Sequence, residues 1–416
     1  MQPSCGVPRV SAPGSMTGLV LTAGGARGAY QAGVIRRISE LPSLRKGPSP
    51  FRIIAGASAG AINGAALAAS NSDFAEGSAL LARLWSQLTF KDVFRTDSRA
   101  LAKTGGLIAL DFALGGLIGG GRLEALVDTA PLKAFLGAHL RLEGIAEAIA
   151  RNDLYAVAVT ATGYHSGKAF TFVQGQPGHP VWNKSRRVAL PTALTLDHIR
   201  ASSSIPIVFP PVALAAAGST AYFGDGALRL TTPLSPAIRL GADRIFAIGV
   251  RCQESADSLL RSELSSDDEL VAKLQRPPLS QICGVFLNAI FLDHLDADVD
   301  HLKRMNELVA GFQPAARSKA ARASEPMRIV TPLVLSPSAD LAIIAKTLAH
   351  RMPRTLRYVM DGLGTPDAQS ADLTSYLLFD KAFTSELIQL GYRDAAQRID
   401  EIEEFLAPRT RTRGRR

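Results

Sequence analysis

Gly56-Ala57-Ser58-Ala59-Gly60 joins an apolar run, Phe51–Gly56, to a stretch of small residues, Ser58–Ser70, and few folds accommodate such a junction. The run reads as a buried strand. The stretch reads as a helix whose Ala61, Gly64, Ala65, Ala66, Ala68 and Ala69 let it pack close to a sheet. Glycines two residues either side of Ser58 leave room for a sharp turn, and the new helix aims unpaired N–H groups and its positive dipole end at the serine. The bare G-x-S-x-G pattern also describes an ordinary tight turn. The flanking strand and helix favour the reading in which Ser58 is a nucleophile.

The same strand-then-helix order recurs. Leu19–Ala23 reads as a buried strand followed by a helix from about Arg27 to Leu41, with Pro42, Pro48 and Pro50 in the connecting loop. Later strands are expected at Leu154–Thr162, Ala169–Val173, Arg244–Val250 and Ile329–Leu335. Alternation of this kind predicts a mainly parallel sheet flanked by helices, an α/β chain. Phe90–Pro131 is weakly periodic and glycine-rich, which suits a lid or mouth, and Ala315–Glu325 reads as an exposed basic loop. Ser338–Leu406 reads as helices with a break near Gly362–Ser370.

Composition narrows the function classes. Hydrophobic residues make up 47% and charged residues 20%, the balance of a globular chain rather than a disordered one. The longest apolar stretch, Leu107–Gly121, is interrupted by Asp111 and falls short of the roughly 18 residues of a spanning helix. Of the net charge of +9, Arg409, Arg411, Arg413, Arg415 and Arg416 supply five, so the excess is no nucleic-acid footprint. Such a tail is a solvated end, or an element attracted to anionic headgroups by about 1 kcal/mol per residue. Cys5, Cys252 and Cys283 are widely spaced and suggest a reducing compartment without a disulfide framework.

Ala23-Gly24-Gly25-Ala26-Arg27-Gly28 lies between the first strand and its helix. A dinucleotide fingerprint would need glycine at Ala23 and an acidic residue about 20 positions on, where Glu40 is poorly placed. An oxyanion hole fits better, with the backbone N–H groups of Gly24, Gly25 and Ala26 turned toward the oxygen that becomes negative when Ser58 attacks an ester. Arg27 would steady the loop or offset the charge. A close-packed strand-to-helix turn is the structural alternative.

A serine hydroxyl needs a partner to take its proton. None of His139, His165, His179, His198, His294, His301 and His350 sits in a recognisable catalytic motif. Asp225, between Gly224 and Gly226 after the apolar Tyr222-Phe223, could serve as general base, although Asp-Gly more often marks a reverse turn. From the residues alone both readings stand.

Four segments together resemble patatin-like phospholipases in order and approximate spacing: Leu19–Val34, Gly56–Gly60, Ala201–Val212 and Asp225–Ala227. The resemblance covers about residues 19–250, and Ser375–Arg393 looks like the tail of bacterial members. It implies a three-layer α/β/α sandwich and lipid acyl hydrolase activity. The implied dyad is Ser58 with Asp225, and the implied oxyanion hole is Gly24, Gly25 and Ala26 with Arg27 beside them, supported by Gly28, Gly56, Gly60 and Gly226. The family usually carries glycine where this chain has Ala23, and the added methyl would crowd the hole. The resulting division is a flexible leader at 1–16, a catalytic domain at 17–250, a mostly helical extension with one added strand at 251–406, and a basic tail at 407–416.

Two other features call for weighing. Asp296, Asp298, Asp300 and Glu307 fall at calcium-loop positions, but His301 stands where that loop needs glycine, and Leu292, Leu295, Val299 and Leu302 recur at helical spacing. An acidic helix face is expected, without metal. Ser202-Ser203-Ser204 is expected to be a polar loop leading into a mouth segment stiffened by Pro206, Pro210 and Pro211.

The expected function is metal- and cofactor-independent hydrolysis of phospholipid or lysophospholipid esters in the cytoplasm. The expected partner is a lipid or acyl-ester substrate, with peripheral contact at a membrane surface left open and no nucleic acid. The alternatives are a weakly active or inactive lipid-binding regulator on the same fold, a nucleotide-binding protein using the glycine loop, and a triad recruiting His294, His301 or His350.

Overall fold

The computed structural model describes residues 16–95, 125, 127–216, 219–252, 294–311, 328–354, 356–357 and 371–407. The leader at 1–15, Leu107–Gly121, Ala315–Glu325, the break at Gly362–Ser370, the arginine tail, Cys5 and Cys283 lie outside these residues. The strands are β1 (Thr17–Leu21), β2 (Ile53–Ala57), β3 (Ala156–Gly163), β4 (Lys168–Gly175), β5 (Arg187–Pro191), β6 (Val212–Ala216), β7 (Ser219–Asp225), β8 (Arg244–Ile248) and β9 (Thr331–Leu335). The helices are α1 (Gly28–Ile38), α2 (Ala59–Ala69), α3 (Phe74–Gln87), α4 (Phe90–Val93), α5 (Ala130–His139), α6 (Glu143–Ala150) and α7 (Leu196–Ser202). They continue with α8 (Ser235–Leu240), α9 (His294–Gly311), α10 (Leu341–Leu348), α11 (Ala371–Leu377), α12 (Lys381–Gln397) and α13 (Ile399–Leu406).

The central strands are apolar on both faces because both faces are covered. Leu19 and Leu21 of β1, Ile54 of β2 and Phe246 and Ile248 of β8 enter one core with α1, α2, α3 and α12. The alternate residues Val20, Ile53, Ala55, Ile245 and Ala247 enter a second core with Leu234, Ala237 and Leu240 around α8 and with Leu295, Val299 and Leu302 of α9. A strand buried on both sides reads as a continuous apolar run, which is how these strands appear in the sequence. Helix layer, sheet and helix layer form a three-layer α/β/α sandwich with a mainly parallel sheet.

Sheet order places the site. The strands run β5-β4-β3-β2-β1-β8-β9, with β1 parallel to both β2 and β8. The chain builds outward from β1 first through β2 and β3, then on the other side through β8 and β9, so the strand order reverses at β1. Ligands of open α/β sheets bind beyond the carboxyl ends of strands at such a reversal. The glycine loop follows β1 and the Ser58 turn follows β2, both at that edge. Register completes the arrangement: Ala57 pairs with Thr160 of β3, while the antiparallel β7 pairs Asp225 with Ala161. One strand therefore aligns the two turns that carry Ser58 and Asp225.

One expectation needs correction: Ser202 ends α7, only Ser203 and Ser204 follow as turn and loop, and all three serines are buried. The acidic run forms the helix α9, with Leu295, Val299 and Leu302 on its buried side beside Asp298, which accepts the Leu234 amide at 2.8 Å. Among the described residues no helix is long and apolar enough to cross a membrane.

Candidate active site

Ser58 sits at the junction of β2 and α2 with φ 56° and ψ −127°, a conformation that costs a residue with a side chain about 1–3 kcal/mol. Small neighbours make this turn possible. A Cβ on Gly56 would strike the Gly60 carbonyl, and one on Gly60 would strike the Leu21 carbonyl of the adjacent strand. The turn presents the Ser58 hydroxyl to Asp225, and Ser58 Oγ donates to Asp225 Oδ2 at 2.6 Å across 167 positions of sequence.

Asp225 is fully buried. Its second oxygen, Oδ1, accepts the Ala227 amide at 2.9 Å, and its carbonyl accepts the Thr162 hydroxyl at 2.7 Å. Burial pushes its carboxyl up to about 7, and the hydrogen bonds from Ser58 and Ala227 hold it from rising further. A carboxylate near 7 exchanges protons at neutral pH, whereas an ordinary one is too weak a base. Among the described residues no histidine bonds to Ser58 or Asp225. His294 and His301 lie on α9, and exposed His350 faces the Thr347 carbonyl.

What α7 contributes has no signal in the local residue pattern. Ser202 Oγ accepts the Ser58 amide at 3.0 Å and donates to the Thr160 carbonyl at 2.6 Å. Two residues on, the Ser204 carbonyl accepts the Asp225 amide at 2.9 Å. One helix end thus holds the backbone of both residues. Ser202→Ala should take from the buried Ser58 amide the hydroxyl that accepts it, a cost of about 1–3 kcal/mol. We expect kcat on any ester that the protein turns over to fall about tenfold or more with KM little changed, as for a misplaced reacting group. Equal kcat in the two forms would remove Ser202 from this role.

The glycine loop forms a tight turn in which the Arg27 amide donates to the Gly24 carbonyl at 3.1 Å. Among the described residues no hydrogen bond takes up the amides of Gly24, Gly25 or Ala26. Gly25 has φ 55°, and a Cβ there would meet the Tyr376 carbonyl of α11. Arg27, expected beside the hole, is buried. Its Nε donates to Ser375 Oγ at 2.7 Å and its guanidinium lies 4.7 Å from the Tyr376 ring centre. Its role in the structure is to fasten the loop to α11.

Ser58 and Gly25 open into a cleft walled by apolar side chains including Ile62, Trp85, Leu136 and Phe209. Trp85 is held in that wall by its indole N–H, which donates to Asn63 Oδ1 at 2.7 Å; Asn63 in turn donates to the Gly28 carbonyl at 3.0 Å. Ala23 lines a separate cavity of about 650 Å³ with Val250, Ser336 and His294. Ala23 is not among the residues that line the cleft beside Ser58.

Fold and site together define the class: a three-layer α/β/α chain with a serine on a strained strand-to-helix turn, hydrogen-bonded to a buried aspartate beside a glycine loop and an apolar cleft. A family model described as patatin-like phospholipase matches residues 19–238, more than half of the chain, and the chain belongs to that family. Membership supports lipid hydrolase activity. No curated protein matches the sequence. Among solved structures the chain is similar to VipD from Legionella pneumophila, at 14% identity over 94% of this chain and 68% of that one, with a TM-score of 0.33. It is also similar to human GIVD cytosolic phospholipase A2, at 12% identity and a TM-score of 0.41. There the match covers 94% of this chain and 62%, less than two thirds, of the human one.

Proposed function

We propose that the chain is a serine acyl hydrolase that cleaves carboxylic esters of phospholipids or lysophospholipids and releases fatty acids. Ser58 Oγ attacks the acyl carbonyl carbon while Asp225 accepts its proton. The amides of Gly24, Gly25 and Ala26 receive the oxyanion. The alcohol leaves with the proton returned by Asp225, and water then repeats the sequence on the Ser58 ester. The acyl chain lies in the cleft beside Ile62 and Trp85, where only apolar burial is on offer.

The observation that carries this reading is the 2.6 Å bond from Ser58 to a carboxylate held near 7. That Ala23 is not among the residues lining the cleft supports a working oxyanion loop over a lipid-binding role without chemistry. The test pairs two measurements on the purified chain: labelling by a fluorophosphonate probe, and fatty acid released from phosphatidylcholine and lysophosphatidylcholine. A labelled Ser58 peptide and release of fatty acid are expected. No labelling with no release would leave the chain a binder.

A further inference from the structure

Ile207 has φ 70°, in the left-handed region that β-branched side chains rarely adopt, and it is 76% exposed. An exposed isoleucine alone needs no explanation, since single apolar residues are common on protein surfaces. A strained one does, because glycine or asparagine would make the same turn more easily. The surroundings dictate the conformation. The Phe209 amide donates to the Ile205 carbonyl at 2.8 Å and the Val127 amide to the Val208 carbonyl at 3.1 Å. Pro206 and Pro210 stiffen the chain on either side. Ile205 and Phe209 are buried in the wall of the Ser58 cleft, with Phe209 6.1 Å from the ring of Phe94. With both flanking side chains drawn into the wall, Ile207 is forced outward.

We propose that Ile207 is the tip by which the protein seats itself on a lipid bilayer, with the cleft wall directly behind the point of insertion. The tip is continuous with the cleft, because residues two positions before and after it line that space. Charge contributes little: on the neighbouring chain Arg95 is paired with Asp128 and Lys133 with Asp197. Apolar burial drives the contact, so a zwitterionic surface suffices. The idea extends the hydrolase reading above, but binding can be measured whether or not the chain turns over a lipid.

The experiment is co-sedimentation of the full chain with phosphatidylcholine vesicles, for wild type, Ile207→Gly and Ile207→Asp. Both variants should partition about tenfold more weakly, the effect of losing one buried aliphatic side chain. Ile207→Gly should melt no lower than wild type because it relieves the strain, and hydrolysis of a soluble short-chain ester should be unchanged. Wild type that fails to bind vesicles, or a glycine variant that binds equally well, overturns the proposal even if the ester is cleaved. A change in sedimentation coefficient in place of vesicle binding also overturns it, and assigns the tip to a second copy of the chain. Absence of ester hydrolysis in every form would count against the hydrolase reading alone.

Discussion

Ser58→Ala should lower ester hydrolysis by about 10⁴-fold or more and leave the fold intact. The loss is large because nucleophile and base act as one unit, so the remaining oxyanion loop and cleft would contribute only residual catalysis. Stability separates this effect from unfolding. Alanine keeps the strained turn at φ 56° and leaves Asp225 the Ala227 amide, so a folded protein is expected that loses no more than the one hydrogen bond, about 1–3 kcal/mol. Ser58→Gly removes the side chain from that conformation and should melt higher than Ser58→Ala, because it relieves a strain of about 1–3 kcal/mol. An alanine variant with wild-type turnover on a phospholipid would assign the chemistry elsewhere.

Asp225→Asn should be nearly as damaging, about 10³–10⁴-fold, because an amide of the same shape cannot take the serine proton. The wild-type pH profile tests the same group. kcat/KM should climb with pH and level off above about 7, where Asp225 is ionised in the free protein. Stability should move the other way. The folded carboxyl holds its proton up to about 7 while the unfolded one releases it near 3.8. The native state therefore binds more protons between those values, and the contribution is full below 3.8 and lost as pH rises through about 7. Wild type should lose melting temperature between pH 6 and pH 8 relative to Asp225→Asn, which does not titrate. A flat acid limb in kcat/KM would mean that Asp225 is not the base.

The parts of the fold that were legible are those whose burial is local. β1, β2, β3 and β8 read as strands because both faces are covered, and the glycine loop and Ser58 turn because their small residues are contiguous. The sequence boundaries of β1 and β2 lie up to two residues from those observed, since an apolar run does not mark where pairing stops. β5, β6 and β7 were missed. Arg187–Pro191 is only five residues long with Ala189 alone buried, and the first half of Ser219–Asp225 is exposed or half-buried, so neither offers a run long enough to read as a strand. That omission hid the placement of Asp225, which depends on β7 lying antiparallel to β3. Only the motif resemblance pointed to it. Ser202 was illegible for a similar reason: its hydroxyl acts through partners 42 and 144 positions away.

The glycine loop is braced by residues far along the chain. Gly25 and Arg27 rest on Ser375 and Tyr376, some 350 positions downstream, and the Tyr30 hydroxyl donates to Asp394 at 3.0 Å. The loop and the helix that follows it are therefore shaped only when α11 and α12 are docked, so a change at Ser375 or Asp394 reaches the Ser58 turn's neighbourhood from the far end of the fold.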